Sequence, residues 1–291
     1  MNISMPALLS QLLLGLVNGS FYAILSLGLA VIFGLLNVIN FAHGALFMMG
    51  AVLSWMAMNY FNVNYWVMLV VAPLIVGVFG VLIERLLLRW IYKLDHLYGL
   101  LLTLGLTLLI EGGFRSVYGV SGLAYSTPEA LSGGTNLGFM FLPNYRAWVV
   151  VASLTVCLGT WFLLEKTSLG ATLRAGTENP SLVQAFGINV PVMVTLTYAG
   201  GAALAALAGV LAAPVIQITP LMGSNLIIIV FAVVVIGGMG SILGSILTGV
   251  VLGVVEGLTK VFYPEASSIV VFVIMAIVLV IRPAGLFGKE K

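Results

Sequence analysis

Four polar side chains stand within long apolar stretches near the start of the chain, where they could contact a polar solute. Asn37, Asn40 and His43 are spaced by three, so on a helix they fall on one broad face. Asn18 lies inside the first apolar segment. Polar side chains at membrane depth are costly and usually line cavities or bond to neighbouring helices. The first three residues fit equally well as caps of helix ends in water, and Asn18 has the alternative of a bond to another helix.

Two acidic residues, Glu111 and Glu256, end apolar segments and could relay protons. Because buried acids are scarce and segment ends are wet, we expect both at the membrane interface. The sequence lacks a G-x-x-x-x-G-K-S/T phosphate loop, an H-E-x-x-H metal motif and a G-x-S-x-G nucleophile elbow. The two histidines are well separated and there is one cysteine, so we expect no metal site. No motif indicates a cofactor, and no run of basic residues indicates nucleic-acid binding. An enzyme is not expected.

The most informative polar stretch is the segment 165–190. Asn179 is a good N-cap, Pro180 suits the first helical position and Gly187 suits the end of a helix. The short helix predicted between them places three apolar side chains on one face: Leu182, Val183 and Phe186. This face could pack on its own protein, lie on lipid headgroups or dock on a separate cytoplasmic subunit. Composition alone favours the first two, because amphipathic interfacial helices are common.

Glycines crowd an apolar stretch late in the chain: Gly237, Gly238, Gly240, Gly244, Gly249, Gly253 and Gly257. The apolar run Leu226–Val255 would measure about 45 Å as one helix, too long for one upright crossing. We therefore predict a broken or re-entrant helix near Gly237–Ser241. The later glycines make a smooth helical face, which predicts close packing in the bundle and fits an interface with a second transmembrane chain.

Composition decides which elements must position these residues. Apolar residues make up 62% of the 291 residues and charged residues 7%, whereas soluble domains hold about 25% charged residues. No Asp, Glu, Lys or Arg precedes Glu84, and none lies between Glu178 and Glu256. Each of these tracts is long enough to cross a bilayer more than once, at about 20 residues a crossing. Runs such as Val270–Ile281 do not alternate as barrel strands would, so we predict helices.

The polar breaks predict about nine crossings in a single transmembrane domain, residues 1–291. The expected spans are 8–34, 41–60, 65–83, 97–114, 147–164, 190–213, two segments within 226–255, and 267–281. The charged loop after the third span holds Glu84, Arg85, Arg89, Lys93 and Asp95, and the polar stretch 118–145 is an external loop. The fold class is an all-α polytopic transmembrane helix bundle with about 8–10 membrane segments.

The positions of Lys and Arg predict the orientation of the bundle, because these residues concentrate in cytoplasmic loops. The first charged loop is placed in the cytoplasm by Arg85, Arg89 and Lys93. Lys166 and Arg174 place the segment 165–190 there too. A third basic group lies at the end of the chain: Arg282, Lys289 and Lys291. The C-terminus is therefore expected in the cytoplasm and the N-terminus outside.

Four blocks of residues follow one another along the chain in a familiar order. They are Asn18–Gly44, Gly170–Val190, Val235–Gly244 and Arg282–Gly288. Together they resemble the branched-chain amino acid ABC transporter permeases, of the LivH-type subunit, over essentially the whole chain. The family motif usually reads His-Gly-Glu, whereas Ala45 follows Gly44 here. No acidic role is therefore carried over to this position.

The resemblance implies a permease subunit of an importer in a bacterial-type inner membrane. Such a subunit pairs with a second homologous permease and two cytoplasmic ATP-binding subunits, and an external (periplasmic or extracellular) solute-binding protein delivers the solute. The missing phosphate loop agrees with ATP hydrolysis on other chains. The segment 165–190 becomes the ATPase-coupling loop, with Leu182, Val183 and Phe186 as its contacts and Arg174 and Glu178 as residues that orient it.

The solute is not decided by the resemblance. The family carries leucine, isoleucine and valine, and relatives carry other small amino acids, urea or short amides. A stand-alone secondary transporter or channel is an alternative from another class, and it would need intramembrane acids or paired half-helices. A purely structural membrane subunit is a third interpretation.

Overall fold

A computed structural model of the protein describes residues 4–36, 38–92 and 94–288. Its helices are α1 (Met5–Leu36), α2 (Ala42–Phe61), α3 (Tyr65–Leu86), α4 (His96–Tyr118), α5 (Asn144–Lys166), α6 (Ser168–Glu178), α7 (Pro180–Ala185), α8 (Val190–Ala212), α9 (Met222–Gly237), α10 (Ile242–Phe262) and α11 (Val270–Ile281). Short 3-10 turns lie at Leu88–Trp90, Glu129–Leu131 and Pro264–Ala266. The predicted all-α helix bundle is confirmed.

Seven of the described helices are long and apolar enough to cross a membrane: α1 to α5, α8 and α10. Helices α9 and α11 are shorter and also apolar. These elements correspond in order to the predicted spans, and their bounds differ from the predicted ones by a few residues. Apolar side chains and internally bonded backbone are what a crossing segment needs, because hydrocarbon offers no hydrogen-bond partners.

The predicted break in the long apolar run is confirmed. Helix α9 ends at Gly237 and α10 begins at Ile242. Gly238 and Gly240 have φ angles of +97° and +87°, which only glycine adopts without strain. A Cβ added at Gly237 would lie 2.8 Å from the carbonyl carbon of Gly244, so the two helices meet backbone to backbone. At 16 residues, α9 is about 24 Å long, shorter than the hydrocarbon core.

The segment after α11 closes the exposed end of α9. The N–H groups of Leu286 and Phe287 donate to the carbonyls of Ile236 and Gly237, at 2.8 Å and 3.2 Å. The last carbonyl groups of a helix have no partners within the helix. The bonds from Leu286 and Phe287 satisfy two of these carbonyl groups in α9. Two of the sequence blocks, Val235–Gly244 and Arg282–Gly288, are therefore neighbours in space.

Helix α1 is the central helix, and its most extensive contact is with α10. A Cβ at Gly253 would lie 2.3 Å from the Cα of Gly19, and a Cβ at Gly249 would lie 2.7 Å from the Cα of Ala23. The predicted close packing of the glycine face is confirmed. Its suggested contact with a second transmembrane chain is wrong, because α1 of the same chain already covers that face.

The polar loop between α4 and α5 has structure of its own. Strand β1 (Gly134–Asn136) pairs antiparallel with β2 (Phe141–Pro143). The backbone of Leu123 exchanges hydrogen bonds with Ile218, just after α8, at 2.9 Å and 3.1 Å. This loop therefore covers one end of the bundle, and α6 and α7 lie near the other end, where α5 stops.

Candidate functional site

The segment predicted as the coupling loop forms two helices, α6 and α7. The Asn179 side chain accepts a hydrogen bond from the N–H of Leu182 at 3.1 Å, and Pro180 is the first residue of α7. Gly187 follows the helix with φ of +83°. The predicted cap, start and end of α7 are confirmed, because each depends on the local backbone chemistry of one residue.

Helix α6 was not predicted. Gly170 lets it fold back on α5, since a Cβ there would lie 1.7 Å from the carbonyl oxygen of Leu164. The Arg174 guanidinium donates to the same carbonyl at 2.6 Å and lies 3.5 Å from the Glu165 carboxylate. Arg174 thus fastens α6 to the end of α5, whereas Glu178 lies exposed at the end of α6. A role of either residue in coupling stays a prediction.

The three apolar side chains assigned to one face of α7 separate into two groups. Val183 is 6% exposed and packs into the protein, whereas Leu182 is 53% exposed and Phe186 is 77% exposed. The expectation of one shared face is wrong, because Val183 points towards its own chain. What remains outside is a pair of large apolar side chains on a helix that is capped and anchored at its base.

The polar residues at the start of α2 lie inside the protein and not in water. Asn40 donates from Nδ2 to the Tyr198 hydroxyl at 3.2 Å, and His43 Nε2 lies 3.0 Å from the carbonyl oxygen of Leu25. Both residues are buried, so the alternative of water-exposed caps is wrong for them. Gly28 makes room for the imidazole, since a Cβ there would lie 2.9 Å from its Cε1. Asn37, the third member of the predicted set, lies outside the described residues. So do three of the lysines used to predict the orientation: Lys93, Lys289 and Lys291.

Within the described residues, each of these two side chains keeps one buried polar atom without a hydrogen-bond partner. The atoms are Oδ1 of Asn40 and Nδ1 of His43. Asn40 also borders a cavity of about 10 Å³, which is close to the minimum for a single water molecule. Both residues are fully enclosed, with neighbours on α1, α8 and α9, so they are not open to solvent in this structure. Their predicted contact with a solute stays a prediction.

Asn18 lies near the middle of α1, about five helical turns before the end of the helix that is closest to Asn40. It is half-buried and borders a polar cavity of about 220 Å³ formed with α5 and α10. This cavity is large enough for more than one water molecule, whereas the cavity beside Asn40 is not. The structure therefore does not bring Asn18, Asn40 and His43 together at one site.

Buried acids are more numerous than the sequence indicated. Glu111 on α4 is buried and accepts a hydrogen bond from Ser224, so the expected exposure at a wet helix end is wrong for this residue. Glu84, expected in a charged loop, is in the last turn of α3 and accepts from Thr195 at 2.6 Å. Burial, followed by the nearby Glu84 carboxylate, raises the pKa of the Tyr92 hydroxyl. No local pattern marks Thr195 and Ser224 as partners, because they lie on helices that are distant in the sequence.

An open cleft next to α6 was also missed. It has a volume of about 580 Å³ and lies between α5, α6 and α8, with Val31 of α1 in its lining. Its walls are largely apolar and include Leu163, Leu169 and Leu204. Its lining comes from four helices that are distant in the sequence, so no local pattern marks it.

Comparison with known proteins identifies a family whose model matches most of the chain. The family model described as the permease component of branched-chain amino acid transport systems matches residues 11–279. The chain is 28% identical to the high-affinity branched-chain amino acid transport system permease protein LivH of Salmonella typhimurium, over 97% of this chain and 96% of the relative. Its counterpart BraD of Pseudomonas aeruginosa is 29% identical, over the same shares of the two chains. No solved structure matches the chain significantly.

Proposed function

Because the chain belongs to the family of permease components of branched-chain amino acid transport systems, we propose that it is the membrane-spanning subunit of an ATP-binding cassette importer. Its solute is a branched-chain or another small hydrophobic amino acid. Two ATP-binding subunits bind in the cytoplasm, a second homologous permease completes the membrane part, and an external binding protein delivers the solute. The whole chain acts as one permease domain, with its C-terminus and the segment 165–190 in the cytoplasm.

The observation that carries this proposal is the exposed pair formed by Leu182 on α7 and Phe186 directly after it. An ATP-binding subunit needs a firm contact surface through which its movement reaches the membrane helices. Val183 anchors α7 to its own chain, and Arg174 fastens the preceding α6 to α5. Large exposed apolar side chains on an anchored helix are typical of an interaction surface. The α6–α7 segment therefore offers both a docking surface and a mechanical connection.

The proposed solute class rests on the relatives. The LivH proteins of Salmonella typhimurium and Escherichia coli and the BraD protein are each named for branched-chain amino acid transport. Urea and short amides are the alternative solutes within the same architecture. Uptake assays with leucine, a short amide and urea in parallel separate the two, because only the transported solute accumulates.

The test is uptake of radiolabelled leucine into proteoliposomes. The chain alone is expected to give no uptake, with or without a proton gradient, because it lacks any element that hydrolyses ATP. Uptake should appear when the ATP-binding subunits, the second permease, the binding protein and ATP are all present. Proton-driven uptake by the chain alone would overturn the proposal.

A stand-alone secondary transporter is the second candidate, and the burial of Glu111 favours it. A buried carboxyl group among membrane helices is a common element of proton relays. If Glu111 relayed protons, Glu111→Gln would abolish transport. On the importer proposal Gln keeps an acceptor for Ser224, so ATP-driven uptake should fall by no more than about twofold.

A further inference from the structure

A polar cavity lies at the end of the bundle that the 119–143 loop covers. Four polar or charged side chains border its volume of about 220 Å³: Gln11 and Asn18 of α1, Arg146 of α5 and Lys260 of α10. Leu14 and Val17 add an apolar wall. The Ser10 hydroxyl donates to the carbonyl of Phe139 at 3.4 Å, which places this end of α1 beside the loop. The orientation predicted from the basic residues puts this end outside the cell.

The charges around the cavity do not cancel. Lys260 Nζ lies 2.6 Å from the Glu256 carboxylate, whose other oxygen accepts from the Tyr22 hydroxyl at 2.7 Å. Arg146 has no ion pair and no side-chain hydrogen bond with any residue that the structure describes. Two cations and one carboxylate leave one net positive charge, carried by a half-buried guanidinium. This guanidinium matches the geometry of a carboxylate, and an anionic partner would offset its partial loss of hydration.

We propose that this cavity binds a free amino acid as its zwitterion. The solute carboxylate pairs with Arg146, and the carboxamide oxygens of Asn18 and Gln11 accept hydrogen bonds from the solute ammonium group. Leu14 and Val17 face the apolar side chain. This inference rests on the proposed function for its solute class, and it adds a solute site on the permease itself, at its outer end.

The test is equilibrium binding of tritiated leucine to the full chain in nanodiscs of pure phosphatidylcholine. Arg146→Gln should weaken binding at least about tenfold, because a charge-assisted pair is lost. Arg146→Lys should restore part of the affinity. The matched control is Arg115→Gln, at the exposed end of α4, which should bind like the native chain. Equal melting temperatures of the native chain and the variants would show that the fold is intact.

Ligand analogues identify the chemistry. Leucinol lacks the carboxylate and 4-methylpentanoate lacks the ammonium group, so each should bind at least about tenfold more weakly than leucine. Absence of leucine binding, leucinol binding as tight as leucine binding, or unchanged affinity in Arg146→Gln would overturn the proposal. In parallel nanodiscs that contain phosphatidylglycerol, Arg146-dependent capture of this lipid without leucine binding would also overturn the proposal, and it would assign the cavity to a lipid phosphate.

The binding experiment and the uptake experiment test different proposals, so their negative results can be distinguished. ATP-driven uptake that is intact in Arg146→Gln, together with no leucine binding to the chain, would remove the cavity proposal and leave the importer. Proton-driven uptake by the chain alone, together with Arg146-dependent leucine binding, would remove the importer and leave the cavity.

Discussion

The α1–α10 contact and the α5–α7 region differ in how closely their helices pack. At Gly249 and Gly253 the backbones of α10 and α1 are in van der Waals contact, with no room for a methyl group. On α5, by contrast, a Cβ at Gly159 would meet no atom within 4 Å, and a cleft of about 580 Å³ separates α5 from α8. The contact between α5 and α6 depends on the close approach of Gly170 to the backbone of Leu164 and on Arg174.

This difference in packing makes the α1–α10 contact the rigid part of the bundle and the α5–α7 region the part that can move. Membrane helices gain no hydrophobic stabilisation from associating in lipid, so close packing of small residues is what holds α1 to α10. The α5–α7 region has free volume beside it and an exposed apolar surface at its end. On the proposed function, ATP-binding subunits act on this second region while the first keeps its shape.

The largest expected effect comes from filling the glycine contact. Gly253→Leu should prevent correct folding or lower the free energy of unfolding by more than about 3 kcal/mol, because the new side chain must displace the backbone of α1. The matched variant Gly159→Leu should change it by no more than about 0.5 kcal/mol, because that position is open. Melting temperatures and size-exclusion profiles in detergent measure both. Equal loss in the two variants would remove the distinction between the regions.

The second largest effect concerns transport and not stability. In the double variant Leu182→Ala/Phe186→Ala, ATP-driven leucine uptake by the assembled transporter should fall at least about tenfold, since exposed apolar anchors carry much of a docking energy. The melting temperature of the chain should not change. Val183→Ala is the control with the opposite pattern: it should destabilise α7 by about 1 kcal/mol or more, because a buried side chain is shortened. A double variant with native uptake would contradict a docking role for α7.

The smallest effect concerns the link between α5 and α6. Arg174→Ala should speed amide hydrogen exchange in 168–178 by about fivefold, because a charge-assisted bond from a half-exposed side chain contributes about 1 kcal/mol. Glu165→Gln should change this exchange little, since its 3.5 Å ion pair is exposed to water. Unchanged exchange in Arg174→Ala would show that α6 stays on α5 without the Arg174 hydrogen bond.

The sequence predicted the features that depend on local chemistry. The spans, the cap at Asn179 and the break after Gly237 follow from apolar runs, an N-cap side chain and glycine backbone freedom, and all three are confirmed. What failed depends on contacts between distant parts of the chain. The sequence could not show that Val183 points inwards or that Glu111 meets Ser224, because those neighbours are set by the assembled bundle.

The most direct test of the account is site-specific cross-linking from α7. The chain has one cysteine, Cys157, which is buried, so a cysteine introduced as Phe186→Cys can be labelled selectively with a maleimide-benzophenone probe. Tyr263→Cys, exposed after α10 at the opposite end of the bundle, is the control. In the assembled transporter, the probe at position 186 should cross-link to an ATP-binding subunit with a yield that changes when ATP is added, and the control should not. An active transporter in which position 186 gives no such cross-link, or in which position 263 gives it equally, would contradict the account.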